Sequence, residues 1–467
     1  MSSQSKNLEE KIDPREAVDS SCKGPFLFLA FSSITWLLAY SIFSMLAGVK
    51  VHASGMMVDS AWLSYGRIEP ASQLALQFGF LVQLGLAVTA WILSHRGKTV
   101  LVDGGYFFLG GIIWNVGVTL GFVGILSGEA SGLEGLQMPL HVLPILFTGF
   151  ALIGISLIQT NNRRTDEETS PAQWFLFTAT LWLPWVLGGA FLLIHYFKAK
   201  GVMANIVDWW FIQNFTKVYL TFVALGVCSH FFSLFSGRGV IGRGYAVFAF
   251  WVLLIFGSIG GISVGSPVPA WLPALSTVSA VFYFIGAVSI WYVLHHTQNG
   301  ASALDDSDKN NFSLMRFALI IFASISILNL FFAFPEMASS VEYTTFGPAI
   351  ELLYNLGFVG LLLIASLYHI FPRFAVRGLC PTMNKVQNMA LILGIMVATL
   401  PTALGGLMSG DAVLGAGFYF SSFGDLLILL GSSLLFLNFL GAIVMSIKCC
   451  DCLASLCGKR NREEVEA

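Results

Sequence analysis

Ala61-Trp62-Leu63-Ser64-Tyr65-Gly66-Arg67-Ile68-Glu69-Pro70 leads directly into an apolar run that carries Phe78-Gly79-Phe80, and the change of composition along that stretch decides the class of the protein. Trp62 and Tyr65 stand at a polar boundary, where amphipathic rings settle at the water–lipid interface. Beyond Pro70 the chain stays apolar to residue 94. That is long enough for a helix to cross a hydrocarbon layer of about 30 Å, which takes roughly 20 residues.

The same pattern repeats in both directions along the 467 residues. Apolar segments of membrane length are expected at 25–48, 70–94, 104–127, 138–160, 172–197, 209–236, 241–264, 271–297, 312–334, 345–371, 386–408 and 415–447. A hydrophobic content of 56% against 11% charge, with mean hydropathy +0.77, excludes a soluble multidomain protein. The expected fold class is all-α integral membrane, a twelve-helix bundle forming one domain over residues 25–447. Residues 1–24 read as a polar cytoplasmic tail and residues 448–467 as a charged, cysteine-containing one. The segment after residue 24 is too long, and lacks the small-residue cleavage site, for a cleaved signal peptide.

Lysine and arginine are retained on the cytoplasmic side, so their placement tests the span count independently. With an inside N-terminus, only Lys50, Arg67, Lys198 and Lys200 fall outside, and Lys217 alone lies within a span. Every other Lys and Arg falls inside, which puts both termini in the cytoplasm. The net charge of −2 is spread over loops without a basic stripe, which sets nucleic acid aside.

Further along the chain, Asp208-Trp209-Trp210 opens the sixth span, Phe250-Trp251 lies in the seventh, Pro269-Ala270-Trp271 opens the eighth, and Gly357 to Phe371-Pro372-Arg373 closes the tenth. Together with residues 61–80, this collinear set over roughly residues 60–375 resembles the catalytic subunit I of cbb-type cytochrome c oxidases, the C branch of the haem-copper family. The resemblance implies a respiratory electron-transport protein of a bacterial inner membrane, working with a subunit-II-like or cytochrome c partner. It also implies haem b, a high-spin haem and copper, held by histidines on the second, sixth, seventh and tenth helices.

At those positions this chain departs from the pattern. The second-helix ligand position is Ser72, the sixth-helix copper position is Gln213, and the two tenth-helix positions are Ile350 and Leu352. No histidine lies between His230 and His295, so the seventh-helix copper pair is missing too, and the active-site tyrosine has no counterpart. Haem iron and copper need imidazole, which serine, glutamine and aliphatic side chains do not replace. The expectation is therefore a divergent scaffold subunit without bound cofactor, with no catalytic residues and no metal ligands to assign. The alternatives are a working oxygen reductase or haem-binding electron-transfer subunit with unconventional ligation, and, third, a proton or ion transporter.

Three intramembrane charges stand out, because burying a charge in lipid is costly and such residues are functional candidates by default: Lys217, Glu351 and Asp425. Lys217 follows Gln213 by four residues, which on an α-helix puts both on one face, and Glu351 is its expected ion-pair partner. Asp425 reads either as a relay acid or as a group bonded within the bundle. His230 and His369 lie at matching depth near the cytoplasmic ends of the sixth and tenth spans and are the candidate alternative haem ligands. His141 and His195 form a second such pair near the outer leaflet. Cys449, Cys450, Cys452 and Cys457 have the thiols for a metal site but a compressed spacing, and read as reduced cytoplasmic thiols.

Overall fold

The computed structural model describes residues 14–447 apart from 167, 263, 300–303, 305, 376–377 and 409–410, and everything said below is of the described residues. The four tail cysteines, Lys6 and Lys11 lie outside them. Long helices follow one another along the chain: α1 Pro14–His52, α2 Tyr65–Gly97, α3 Gly104–Ser127, α4 Leu140–Asn162, α5 Pro171–Tyr196 and α6 Val202–Ser236. Next come α7 Arg243–Ser258, α8 Trp271–Gln298, α9 Asp306–Phe331, α10 Phe346–Arg373, α11 Pro381–Met408 and α12 Asp411–Ile447. Eleven helices are long and apolar enough to cross a membrane.

The remaining helix, α7, corrects the expected seventh span of 241–264. It is helical over 16 residues only, about 24 Å at 1.5 Å per residue. Gly260 and Gly261 follow it at φ of 133° and 83°, a conformation that ends the helix and that side-chain-bearing residues rarely adopt.

The start of α1 is a second correction. Residues 14–24, expected as part of a polar tail, open the first helix. Val18, Cys22 and Phe26 recur every fourth position and are all buried, so the polar composition concealed an amphipathic stripe. Neighbouring polar groups are tied down as well. Trp91 Nε1 donates to Asp19 Oδ1 at 2.9 Å, and the Leu101 amide donates to Ser21 Oγ at 2.9 Å.

Three helices form the centre. The apolar windows of α2 and α6 are 94% buried and that of α10 is 83% buried, against 50% or less in the other spans. A helix apolar all round belongs inside a bundle. Each inner helix is interrupted by a π-helical stretch: Ala75–Leu81, Asn214–Leu220 and Leu353–Gly360. Glycine permits the closest outer contacts. A Cβ on Gly110 would lie 2.6 Å from the Gly149 carbonyl oxygen, drawing α3 onto α4, and one on Gly394 would lie 2.8 Å from the Ile428 nitrogen, drawing α11 onto α12.

Candidate functional site

Partly accessible positions on the inner helices run inward from one end and stop together. Along α2 they are Glu69, Gln73 and Gln77, spaced every fourth residue, and the chain is then buried from Phe78 to Ser94. On α6 the last are Gln213, Thr216 and Lys217, with residues 218–233 buried behind them. On α10 they are Ile350, Glu351 and Leu352, with residues 353–368 buried. Accessibility therefore ends at the π segments. These positions lie toward the Trp62 and Trp209 ends of the inner helices.

Carboxylates and amides bond to one another along α2 and between α2 and α10. Gln73 Nε2 donates to Glu69 Oε1 at 3.0 Å, and Gln77 Nε2 donates to Glu351 Oε1 at 2.9 Å. Asn355 Nδ2 also faces Glu351 Oε1, at 3.4 Å, while Asn355 Oδ1 is buried without a partner.

The expected Lys217–Glu351 ion pair does not form. Inside Asn214–Leu220 the hydrogen bonds run i→i+5, so the residue four positions after Gln213 no longer stacks on it. Lys217 Nζ instead lies 5.0 Å from the Tyr354 ring centroid and 5.8 Å from that of Tyr283, within cation–π range. A π turn leaves backbone carbonyls short of their usual donors, and hydroxyls from neighbouring helices supply them. Tyr354 donates to the Thr216 carbonyl at 3.2 Å, Tyr283 to the Lys217 carbonyl at 3.3 Å, and Thr221 Oγ1 to the Thr216 carbonyl at 2.9 Å. Thr221 Oγ1 also bonds the Tyr354 hydroxyl.

The positions singled out by the sequence resemblance are occupied as follows. Ser72 is buried and turned back on its own helix, its Oγ donating to the Glu69 carbonyl at 2.7 Å. Gln213 packs on the loop after α7, where a Cβ on Gly261 would meet its own Cβ at 2.9 Å. Ile350 and Leu352 pack against the apolar core. Rings pack around the α2–α6 contact: Phe78 stacks on Phe215 at 5.2 Å, Phe215 on Phe211 of the same helix at 5.8 Å, and Phe78 on Trp114 of α3 at 6.1 Å.

His230 and His369 are both engaged. Arg96 Nε donates to His230 Nδ1 at 2.9 Å, which fixes the proton of the neutral ring on Nε2, a buried atom without a partner. His369 Nδ1 meets Asp308 Oδ1 at 3.1 Å, and Phe231 and Phe235 pack against its ring. His95, on α2, adds its ring 6.0 Å from that of His230. His141 and His195 are exposed. Asp425 accepts from Ser44 Oγ at 3.2 Å, part of an α1–α12 ladder that includes Ser41–Ser432 at 2.7 Å and His52–Ser422 at 2.9 Å. No group of three or more His, Cys, Asp or Glu among the described residues is placed to hold a metal ion.

Sequence reading missed Gln77, Asn355, Tyr283 and Tyr354. The fourfold spacing of Glu69, Gln73 and Gln77 on an otherwise apolar span was a usable signal for the first.

Comparison with known proteins places this all-helical membrane bundle in the haem-copper oxidase subunit I class. The chain belongs to the family described as Cytochrome C and Quinol oxidase polypeptide I, whose sequence profile it matches over residues 25–418. It is 22% identical over 231 residues to a cytochrome c oxidase subunit 1 homolog of Agrobacterium tumefaciens, covering 46% of this chain and 42% of that protein. It is 20% identical over 244 residues to a bacteroid cytochrome c oxidase subunit 1 homolog of Bradyrhizobium diazoefficiens, covering 50% and 44%. The aligned stretches thus span less than half of either relative. A solved heme-copper terminal oxidase dimer shares the fold at TM-score 0.70 and 13% identity, over 89% of this chain and 84% of that one.

At the positions where the sequence resemblance expects ligands, the side chains present do not fit the groups that this family implies. A hydroxyl bonded to its own helix, an amide packed on a loop and two aliphatic side chains offer haem iron or copper no imidazole.

Proposed function

We infer that this chain is a divergent, non-catalytic subunit of the cbb-type lineage, a scaffold within a respiratory electron-transport complex of a bacterial plasma membrane. Its role is to hold a subunit-II-like or cytochrome c partner rather than to reduce oxygen. The observation that carries this reading is the donor chemistry at Ser72, Gln213, Ile350 and Leu352, beside rings packed between α2 and α6. The engagement of the two cytoplasmic histidines supports it: Arg96 donates to His230 Nδ1, and His369 meets Asp308 at Nδ1 and Arg373 at Nε2.

The test is a reduced-minus-oxidised spectrum, with copper analysis, of the protein purified from its native membrane. The expected result is neither a b-type haem band nor copper in stoichiometric amount. Haem or copper at one equivalent per chain overturns the reading.

A further inference from the structure

The outer side of α9 carries a charge that no described acid neutralises. Ser313, Arg316, Ile320, Ser324, Ile327 and Phe331 are exposed and recur every third or fourth residue, so they form one lipid-facing stripe. Beyond Arg316 that stripe is uncharged. A hydrocarbon layer of about 30 Å takes roughly 20 helical residues, yet α9 ends at Phe331, 15 residues past Arg316. The arginine therefore leaves its helix within the layer and not at its edge. Its guanidinium lies back along α9, 5.8 Å from the ring centroid of Phe312, one turn nearer the start of the helix. Long cationic side chains reach the polar boundary from lipid in this way. Arginine keeps its charge, and among the described residues no salt bridge reaches Arg316. Other cations at this end of the bundle have acids beside them. Lys98 lies 2.8 Å from Asp166, Arg243 3.8 Å from Glu168 and Arg373 3.8 Å from Asp19, while Asp308 at the start of α9 is turned to His369.

We propose that Arg316 and Ser313 seat the headgroup of one phospholipid of net negative charge, in the leaflet on the His369 side, with an acyl chain along Ile320, Ser324 and Ile327. A guanidinium presents paired N–H donors that match two phosphate oxygens. One phosphodiester balances one arginine, which the low dielectric at this depth requires. A zwitterionic lipid brings its own ammonium and leaves the pair with a surplus positive charge. The seat goes beyond the scaffold reading and does not depend on it. Haem in the purified protein would overturn that reading and leave this one, and loss of lipid preference would do the reverse.

The experiment adds phosphatidylglycerol with a diazirine in its acyl chain to the detergent-purified full-length protein and maps the cross-linked peptides by mass spectrometry. The expected result is label in α9 between Phe317 and Phe331. Unlabelled phosphatidylglycerol should suppress it at concentrations about tenfold below those needed with phosphatidylcholine, a difference of one decade in affinity. Arg316→Leu should lose that preference and keep the helical circular dichroism of the parent, since leucine suits a lipid-facing position. Arg243→Gln, which removes an arginine that already has Glu168 beside it, should leave the preference unchanged. If Arg316→Leu fails to fold, the competition on the wild type decides alone. Equal competition by the two lipids, or no label in α9, overturns the proposal and leaves Arg316 to an acid of a partner subunit. Undiminished preference in folded Arg316→Leu overturns it, as does its loss in Arg243→Gln. Displacement of the label by glycerol phosphate without acyl chains also overturns it, by showing a site for small anions.

Discussion

At Lys217 two accounts of one buried charge make different quantitative demands. Had it paired with Glu351, removing it would strand a buried carboxylate at about 3–5 kcal/mol. Facing the rings of Tyr354 and Tyr283, it gives up only cation–π attraction on the order of 0.5–2 kcal/mol. Lys217→Met is therefore expected to cost no more than about 2 kcal/mol, measured by thermal unfolding in detergent. Tyr354→Phe removes one of the two hydroxyls that serve the Thr216 carbonyl and leaves Thr221 Oγ1 on it, so it should cost about 0.5–1.5 kcal/mol, the net value of one hydrogen bond. Lys217, Glu351 and Asp425 were legible in the sequence because each interrupts an apolar run. Their partners were not, since the direction of Lys217 depends on hydrogen bonds that switch from i→i+4 to i→i+5 within Asn214–Leu220, and composition carries no sign of that switch.

Among elements, the spans themselves were legible from length and hydropathy, which report burial in lipid directly. The ends were less so. The first helix already includes residues 14–24, where Val18 and Cys22 continue its buried stripe, and α7 stops at Ser258 before two glycines of positive φ. Which helices lie inside required the packing of the whole bundle, since the outer spans are as apolar as the inner ones. Close helix pairs give a direct test. Gly394→Val places methyl groups where the Ile428 nitrogen is already 2.8 Å from an ideal Cβ. Forcing α11 off α12 should cost at least about 1–3 kcal/mol, read as a lower unfolding temperature. The same substitution at Gly441, whose Cβ would meet nothing within 4 Å, should leave that temperature nearly unchanged.

For the molecule as a whole, the distribution of Lys and Arg sets an orientation that chemical labelling can check. In a background whose tail cysteines are replaced, Lys200→Cys should react with a membrane-impermeant maleimide on intact cells, and Lys98→Cys only in inside-out vesicles. The reverse pattern would reject the proposed topology. With that orientation the Glu69, Gln73, Gln77 and Glu351 group lies toward the outside, while Arg96, His230 and His369 lie toward the cytoplasmic ends of α2, α6 and α10, with Asp308 of α9 beside His369. The π stretches stand between these two polar regions on every inner helix. Because a π turn holds more residues than an α turn, it acts as a gear tooth that fixes the rotational phase of one leaflet's side chains against the other's. Deleting one residue from Asn214–Leu220 would let that stretch close as a regular α turn and keep His230 beside Arg96, whereas a deletion in the regular helix beyond it would turn everything that follows by about 100°.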